Sequence, residues 1–141
     1  MISLLSGINS TAAALDAERV RMDVISENIA NVNTTHGPDG KPYQRQQVVF
    51  SSVLQAQQAG GAAGPQRVQI ARIAKDTRAP RQVHMPGHPD ADEHGMVAVP
   101  DINIHEEMVD MIAASRTYEA NLAVAKNAHS MAMAALAIGK H

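Results

Sequence analysis

The sequence predicts an α+β fold: two long terminal helices paired as a coiled-coil-like α-domain around a small β-rich, loop-rich insertion. Three observations carry this expectation. Apolar residues recur every seven positions near both ends of the 141-residue chain. Leu4 to Val32 holds no Pro and a single Gly, and Ile104 to Ile138 holds neither. All seven prolines and seven of the nine glycines lie between His36 and Pro100. The implied segments are an N-terminal helical part over 1–35, the insertion over 36–100 and a C-terminal helical part over 101–141.

In the first segment Met1, Ile8, Leu15, Met22 and Ile29 form an unbroken seven-residue series. Leu4, Ile25 and Val32 hold the companion position, which Thr11 and Glu18 interrupt. That spacing is a narrow helical seam of the kind that pairs two helices. The helix is expected to stop in NVNTTHGP (31–38), because Asn tolerates a left-handed turn and Gly37-Pro38 cannot continue a helix. The last helix opens on Asn103 and Glu106, a capping-box-like spacing that satisfies free N–H groups at a helix start. Its expected seam is Met108, Ser115, Leu122, His129 and Leu136, with Ile104, Met111, Tyr118, Ala125 and Ala132 as companions. At 1.5 Å per residue it spans roughly 50 Å. Leu122 and Leu136 are expected to be buried when the helices pair. Apolar residues off the seams, among them Val20, Val24, Val109, Ile112 and Met133, exceed what one helix pair covers. They are covered either by partner chains or by the insertion folding back. Within the insertion, Gln46–Val53, Arg67–Ile73 and Met96–Val99 read as short strands, and Gly60, Gly61 and Gly64 as a flexible loop tip.

Composition narrows the function. Phe50, Tyr43 and Tyr118 are the only aromatic residues and Trp is absent, so the large side chains of a thick globular core are missing. The formal net charge is −2 and the Lys and Arg residues are scattered, which gives no footprint for nucleic acid or an anionic membrane. With no cysteine there is no disulfide, thiolate metal site or cysteine nucleophile. The longest apolar runs, such as Met131 to Ile138, are far short of a membrane span. The N-terminus lacks the charged and apolar regions of a cleaved secretory signal.

No set of residues reads as a catalytic or cofactor site. His84, His88 and His94 lie beside Asp90, Asp92 and Glu93, and imidazole with carboxylate suits zinc or manganese. Pro86 and Pro89 restrict that loop, the spacing matches no ligand motif, and a solvated acidic turn is the reading adopted. His105-Glu106-Glu107-Met108 lacks the second His of the helical zinc motif. Glu106 and Glu107 point about 100° apart on a helix and suit its N-terminus better than acid–base work. Ser115, His129 and Asp110 lie along one helix, with Ser115 and His129 about four turns apart, which excludes a triad. Two rivals to a structural role are a soluble helical adaptor that never polymerises and a metal enzyme centred on the three histidines.

The stretch ALDAERVRMDVISENIANVNTT resembles the signature of the flagellar rod and hook protein family, matched here at Asn28, Ile29, Ala30, Asn31, Val32, Asn33 and Thr34. GPDGKPYQRQQVVF (37–50), PGHPDADEHGMV (86–97) and VPDINIHEEMVDMIAASRTYEAN (99–121) resemble its proximal, C-type rod branch. Met96 and Asp101 depart from that branch's usual Tyr and Asn. The resemblance spans essentially the whole chain. It implies a non-enzymatic subunit of the rod that crosses the periplasm, with terminal helices forming the inner wall of a tube and no metal or cofactor. The partners it implies are further copies of the chain, other proximal and distal rod proteins, and the MS-ring and export-gate junction. It also implies passage through the flagellar type III apparatus without cleavage. The assembly residues expected on seam and resemblance are Ile8, Leu15, Met22, Ile25, Ile29, Asn31 and Val32 at one end. At the other they are Met108, Met111, Ile112, Ser115, Arg116, Tyr118, Glu119, Leu122 and Leu136. Arg116 and Glu119 form either an ion pair on the helix surface or a bridge to a neighbour, and Asn31 is either a contact residue or a helix stop.

Overall fold

The computed structural model describes residues 2–53 and 67–138. Its elements are α1 (Ile2–Ala30), β1 (Gln46–Val53), β2 (Arg67–Lys75), β3 (Arg81–His84), β4 (Met96–Val99) and α2 (Ile104–Ile138). Both helices and the three expected strands are present, and β3 is an addition. Met1, the Leu4 side chain and the glycine-rich tip lie outside the described residues.

Helix α1 is the central element. One side carries α2, and another carries the antiparallel β1–β2 hairpin. Among the described residues α2 touches α1 and no strand. Side-chain pairs set the helix directions: Asn28 meets Glu107 at 3.0 Å, and Arg21 lies 4.0 Å from Asp110. Ascending α2 is therefore descending α1, an antiparallel pair. In the hairpin, Val48 faces Ile73 and Phe50 faces Ile70 across the strands. The register shifts between Val49 and Phe50, where Ala71 is the extra residue of a β-bulge. The bulge corrects the phase of RVQIARI. Ile70 and Ile73, three apart, would point to opposite faces of a regular strand, and one added residue returns both to one face. That face turns toward α1: Val48 and Phe50 share a recess with Val24 and Ile25, and Ile70 one with Ala13 and Ala17.

The helix seams differ in phase from the expected ones. On α2 the covered positions include Glu107, Met111, Ala114, Tyr118, Asn121, Ala125, Ala128 and Ala132, spaced alternately four and three. The companion series Met111, Tyr118, Ala125 and Ala132 lies on this side as expected. The other expected series does not: Met108, Leu122 and Leu136 are exposed, as is His129, and Ser115 is half-buried. The true second series sits one residue earlier, at Glu107, Ala114, Asn121 and Ala128, a rotation of about 100°. On α1 the buried residues are Ala17, Val24, Ile25 and Asn28. Alanine holds half of these positions, Ala114, Ala125, Ala128 and Ala132, and small side chains let two helix backbones approach closely. Leu122 and Leu136 are thus not buried by the helix pair.

The ends of the helices follow local rules in part. Asn103 Oδ1 accepts from the His105 N–H at 3.1 Å, a true N-cap. Glu106 does not complete the reciprocal box, since its Oε1 accepts from the Asn103 side-chain amide at 3.2 Å. At the end of α1, Asn31 donates from Nδ2 to the Glu27 carbonyl and accepts from Thr34 Oγ1. The chain then runs to the β3–β4 hairpin, where Thr35 Oγ1 donates to Asp90 Oδ2 at 2.6 Å and His36 Nδ1 lies 3.3 Å from Asp90 Oδ1. Gly95 has φ of 72° in that loop, and a Cβ there would stand 3.1 Å from both His84 Cε1 and Pro86 Cβ. Both conditions call for glycine. Val97, Val99, Pro100 and Ile102 bury the connection from β4 into α2.

Two outcomes are expected. Ala114→Leu overfills the fully buried seam and lowers unfolding free energy by roughly 1–3 kcal/mol in urea, whereas Val109→Ser on the exposed side changes it by under about 0.5 kcal/mol. The hydrogen bond from Thr35, with His36 and His88 nearby, holds the Asp90 carboxyl below its ordinary 3.8. A folded-state pKa below the unfolded value gives stability that is complete above about 4 and is lost as pH falls through the folded value. Thr35→Val therefore moves the Asp90 titration upward in an NMR pH series and flattens stability against pH in that acid range.

Candidate assembly interface

Beneath the outer surfaces lies a buried polar latch. Asn28 and Glu107 are 0% and 1% exposed, the two buried polar side chains among the described residues. Asn28 Oδ1 accepts from the Gln46 N–H at 2.9 Å, and its Nδ2 donates to the Gln46 carbonyl at 2.8 Å, so the amide pairs with β1 as a neighbouring strand would. Nδ2 also donates to Glu107 Oε2 at 3.0 Å, and Oδ1 also accepts from the Tyr43 hydroxyl at 3.1 Å. Both donors and both acceptor sites of the amide are thereby used. Arg45 Nε donates to Glu107 Oε1 at 2.6 Å, so each carboxylate oxygen has a partner. Burial raises the Tyr43 hydroxyl pKa above 10; the hydrogen bond from Gln46 acts the other way, and the charges of Glu27 and Glu107 add to the rise. The hydroxyl stays protonated and available as a donor. Arg21, Asp110 and Phe50 join the latch residues around a recess of about 330 Å³.

The expected assembly residues fall into three groups around this latch. Ile25 is buried, and Ile8, Leu15, Met22, Ile29, Asn31, Val32, Met111, Ser115 and Tyr118 are half-buried. Met108, Ile112, Arg116, Glu119, Leu122 and Leu136 are exposed. Asn31 makes the turn contacts described above, and among the described residues Arg116 and Glu119 form no ion pair. The latch residues Asn28, Arg45 and Glu107 were not in the expected set. One usable signal existed for Asn28: a polar amide one turn after Val24 and next to the apolar Ile25 face. Arg45 carried none.

The outer side of α2 is where the large apolar side chains collect. Ile104, Met108, Val109, Ile112, Leu122, Val124, Met131, Met133, Leu136 and Ile138 are all exposed, Ile138 by 78%. Toward α1 the helix presents alanines with Glu107, Asn121, Met111 and Tyr118, and most of its large apolar side chains are exposed. Among the described residues no three His, Asp or Glu side chains converge as a metal site, and no helix is long and apolar enough to cross a membrane. A chain built this way is a structural subunit made for assembly.

Comparison with known proteins gives the class its family. Residues 8–38 match the family described as flagella basal body rod protein, and residues 93–138 the flagellar basal body rod FlgEFG protein C-terminal family. The flagellar basal-body rod protein FlgC of Borreliella burgdorferi is 43% identical over 149 aligned positions, covering 97% of this chain and 98% of that protein. The FlgC proteins of Yersinia enterocolitica and Salmonella typhimurium are 38% and 34% identical, each with 99% of this chain and 100% of the relative covered. The chain belongs to the flagellar basal-body rod protein FlgC family.

The latch makes a stability prediction. Arg45→Met leaves the Glu107 carboxylate buried without its cation and costs about 3–5 kcal/mol. Adding Glu107→Met to that variant removes the orphaned charge and recovers a large part of the loss. Urea denaturation of the two variants beside the parent reads both.

Proposed function

We propose that the protein polymerises through its two terminal helices into the proximal part of the flagellar rod, a non-enzymatic segment of the shaft that transmits torque. One observation carries this reading: α2 turns most of its large apolar side chains away from α1, the element it packs on among the described residues. Full burial of one Leu or Met side chain contributes roughly 1.5–3 kcal/mol, so a row of them supplies a strong assembly contact. Further copies of this chain, other proximal and distal rod proteins, and the MS-ring and export-gate junction are the partners this reading assigns. The subunit leaves the cytoplasm through the flagellar type III apparatus uncleaved and resides in the periplasm-spanning rod. The family membership supports each of these assignments. The adaptor reading has no such support, since the family that the chain belongs to is one of rod proteins.

The test is substitution on that row. Leu136→Asp and Val124→Asp lie on solvent-facing positions, so both proteins fold with the parent's thermal midpoint. In the rod each places a carboxylate in an apolar contact, at a cost of several kcal/mol per copy. Cells carrying either variant make and export the subunit but hold incomplete rods by electron microscopy and do not swim. Normal rods containing the variants would show that the row faces solvent and remove the basis of this reading.

A further inference from the structure

The recess beside the latch carries more negative charge than its own cations offset. Five side chains lead across it in alternating sign: Glu18, Arg21, Asp110, Arg45 and Glu107. The successive gaps are 3.8, 4.0, 3.7 and 2.6 Å, and the last is the one hydrogen bond among them. Arg21 is offset by Glu18 and Arg45 by Glu107, so the charge of Asp110 is left over. Asp110 accepts no hydrogen bond among the described residues, although two guanidinium groups flank it. Glu18 Oε2, at the far end of the row, is buried and also accepts none. Access separates the three acids: the Asp110 side chain is 44% exposed, against 14% for Glu18 and 1% for Glu107. Asp110 is where a cation from outside reaches the row.

The lining decides what kind of cation fits. Val24, Val48 and Phe50 give the recess an apolar wall, and the Phe50 ring is 37% exposed. A metal ion gains nothing from that wall and needs several oxygen ligands, whereas among the described residues no three His, Asp or Glu side chains converge. An anion adds to the surplus charge. A long basic side chain suits both parts, with its stem along Val48 and Phe50 and its head on Asp110. The chain carries such a group on the opposite face of the same hairpin. Val48 and Ile73 face α1, so their neighbours Val49 and Arg72, paired across the strands, face away from it. Arg72 is exposed and has no ion pair among the described residues. We infer that Arg72 of a second copy enters this recess and pairs with Asp110 in the assembled rod, an inference that rests on the rod reading for the presence of that neighbour. The two partner surfaces are unlike and lie on opposite faces of one hairpin. The contact is therefore head-to-tail, and it repeats from copy to copy without closing. It uses α1, β1 and the first turns of α2 rather than the outer apolar row.

Variants recovered in basal bodies test the contact in the assembled state. Asp110→Asn and Arg72→Gln each leave one charge unpaired where two copies meet. The amount of this chain recovered in isolated basal bodies then falls roughly tenfold in either variant. The Asp110→Asn/Arg72→Gln double variant regains most of the loss, which a folding defect of either single variant would not permit. Glu93→Gln, an exposed acid on the β3–β4 loop, leaves recovery at the parent level. The chain has no native cysteine, so disulfides report the geometry directly. Oxidised basal bodies containing Asp110→Cys/Arg72→Cys give a ladder of multimers on denaturing gels, and neither single cysteine gives one. No ladder from rods that hold the double-cysteine chain, or a doubly neutral chain recovered no better than the single variants, overturns the inference and leaves the rod reading standing. Absence of the parent chain from basal bodies sinks the rod reading and this inference with it.

Discussion

The buried contact among Asn28, Glu107 and Arg45 is the constraint on which the rest of the arrangement depends. It joins residues separated by up to 79 positions and brings the end of α1, the start of β1 and the first turn of α2 to one point. Each group needs the other two. Without Asn28 the Gln46 backbone loses its partner, and without Arg45 the carboxylate of Glu107 is buried alone. Unpaired buried groups of this kind cost far more than a made hydrogen bond gains, so the three segments dock together or not at all. An apolar junction of equal volume would tolerate sliding. The polar one admits a single register.

That fixed register explains how a chain with so little conventional core holds its shape. The α1–α2 seam is filled largely by alanine, which buries little area per residue but lets two helices lie close. Close approach with small side chains does not by itself choose between neighbouring registers, because one alanine resembles the next. The latch makes that choice at one end of the pair, and regular helix geometry carries it along the rest. The large apolar residues are then left to the outside of α2, where they are exposed.

Much of this was legible in the residues and part was not, for identifiable reasons. Helix limits and three strands followed from Gly, Pro and periodicity, and β1, β4 and α2 carry the expected bounds. β3 escaped because RQVH has one apolar residue and three exposed ones, leaving no alternation to detect. The seam phase on α2 erred by one residue for a more general reason. Reading the largest apolar residues as the intrachain seam assumes that a helix has one buried face. On α2 most of the largest apolar residues are exposed, and the intrachain seam is marked by Ala114, Ala125, Ala128 and Ala132. The latch was hidden for another reason: Arg45 lies in a connecting segment 62 positions from Glu107, and nothing local links them.

Placing the apolar row outside creates a difficulty that the fold must manage. A chain with ten large apolar side chains exposed on one helix is prone to stick to whatever it meets. Charges within the row limit that. Glu119 and Lys126, both exposed, favour a partner that presents the opposite charge at the matching height and disfavour one that presents a like charge. Large-area adhesion thereby becomes selective adhesion. Val109, Val124, Met131 and Ile138 lie on a different part of the helix surface from Met108, Leu122 and Met133, so the apolar side chains spread around the exposed side of α2. An apolar row that carries charge at fixed heights holds a partner in one register by the same means that the latch uses inside the chain.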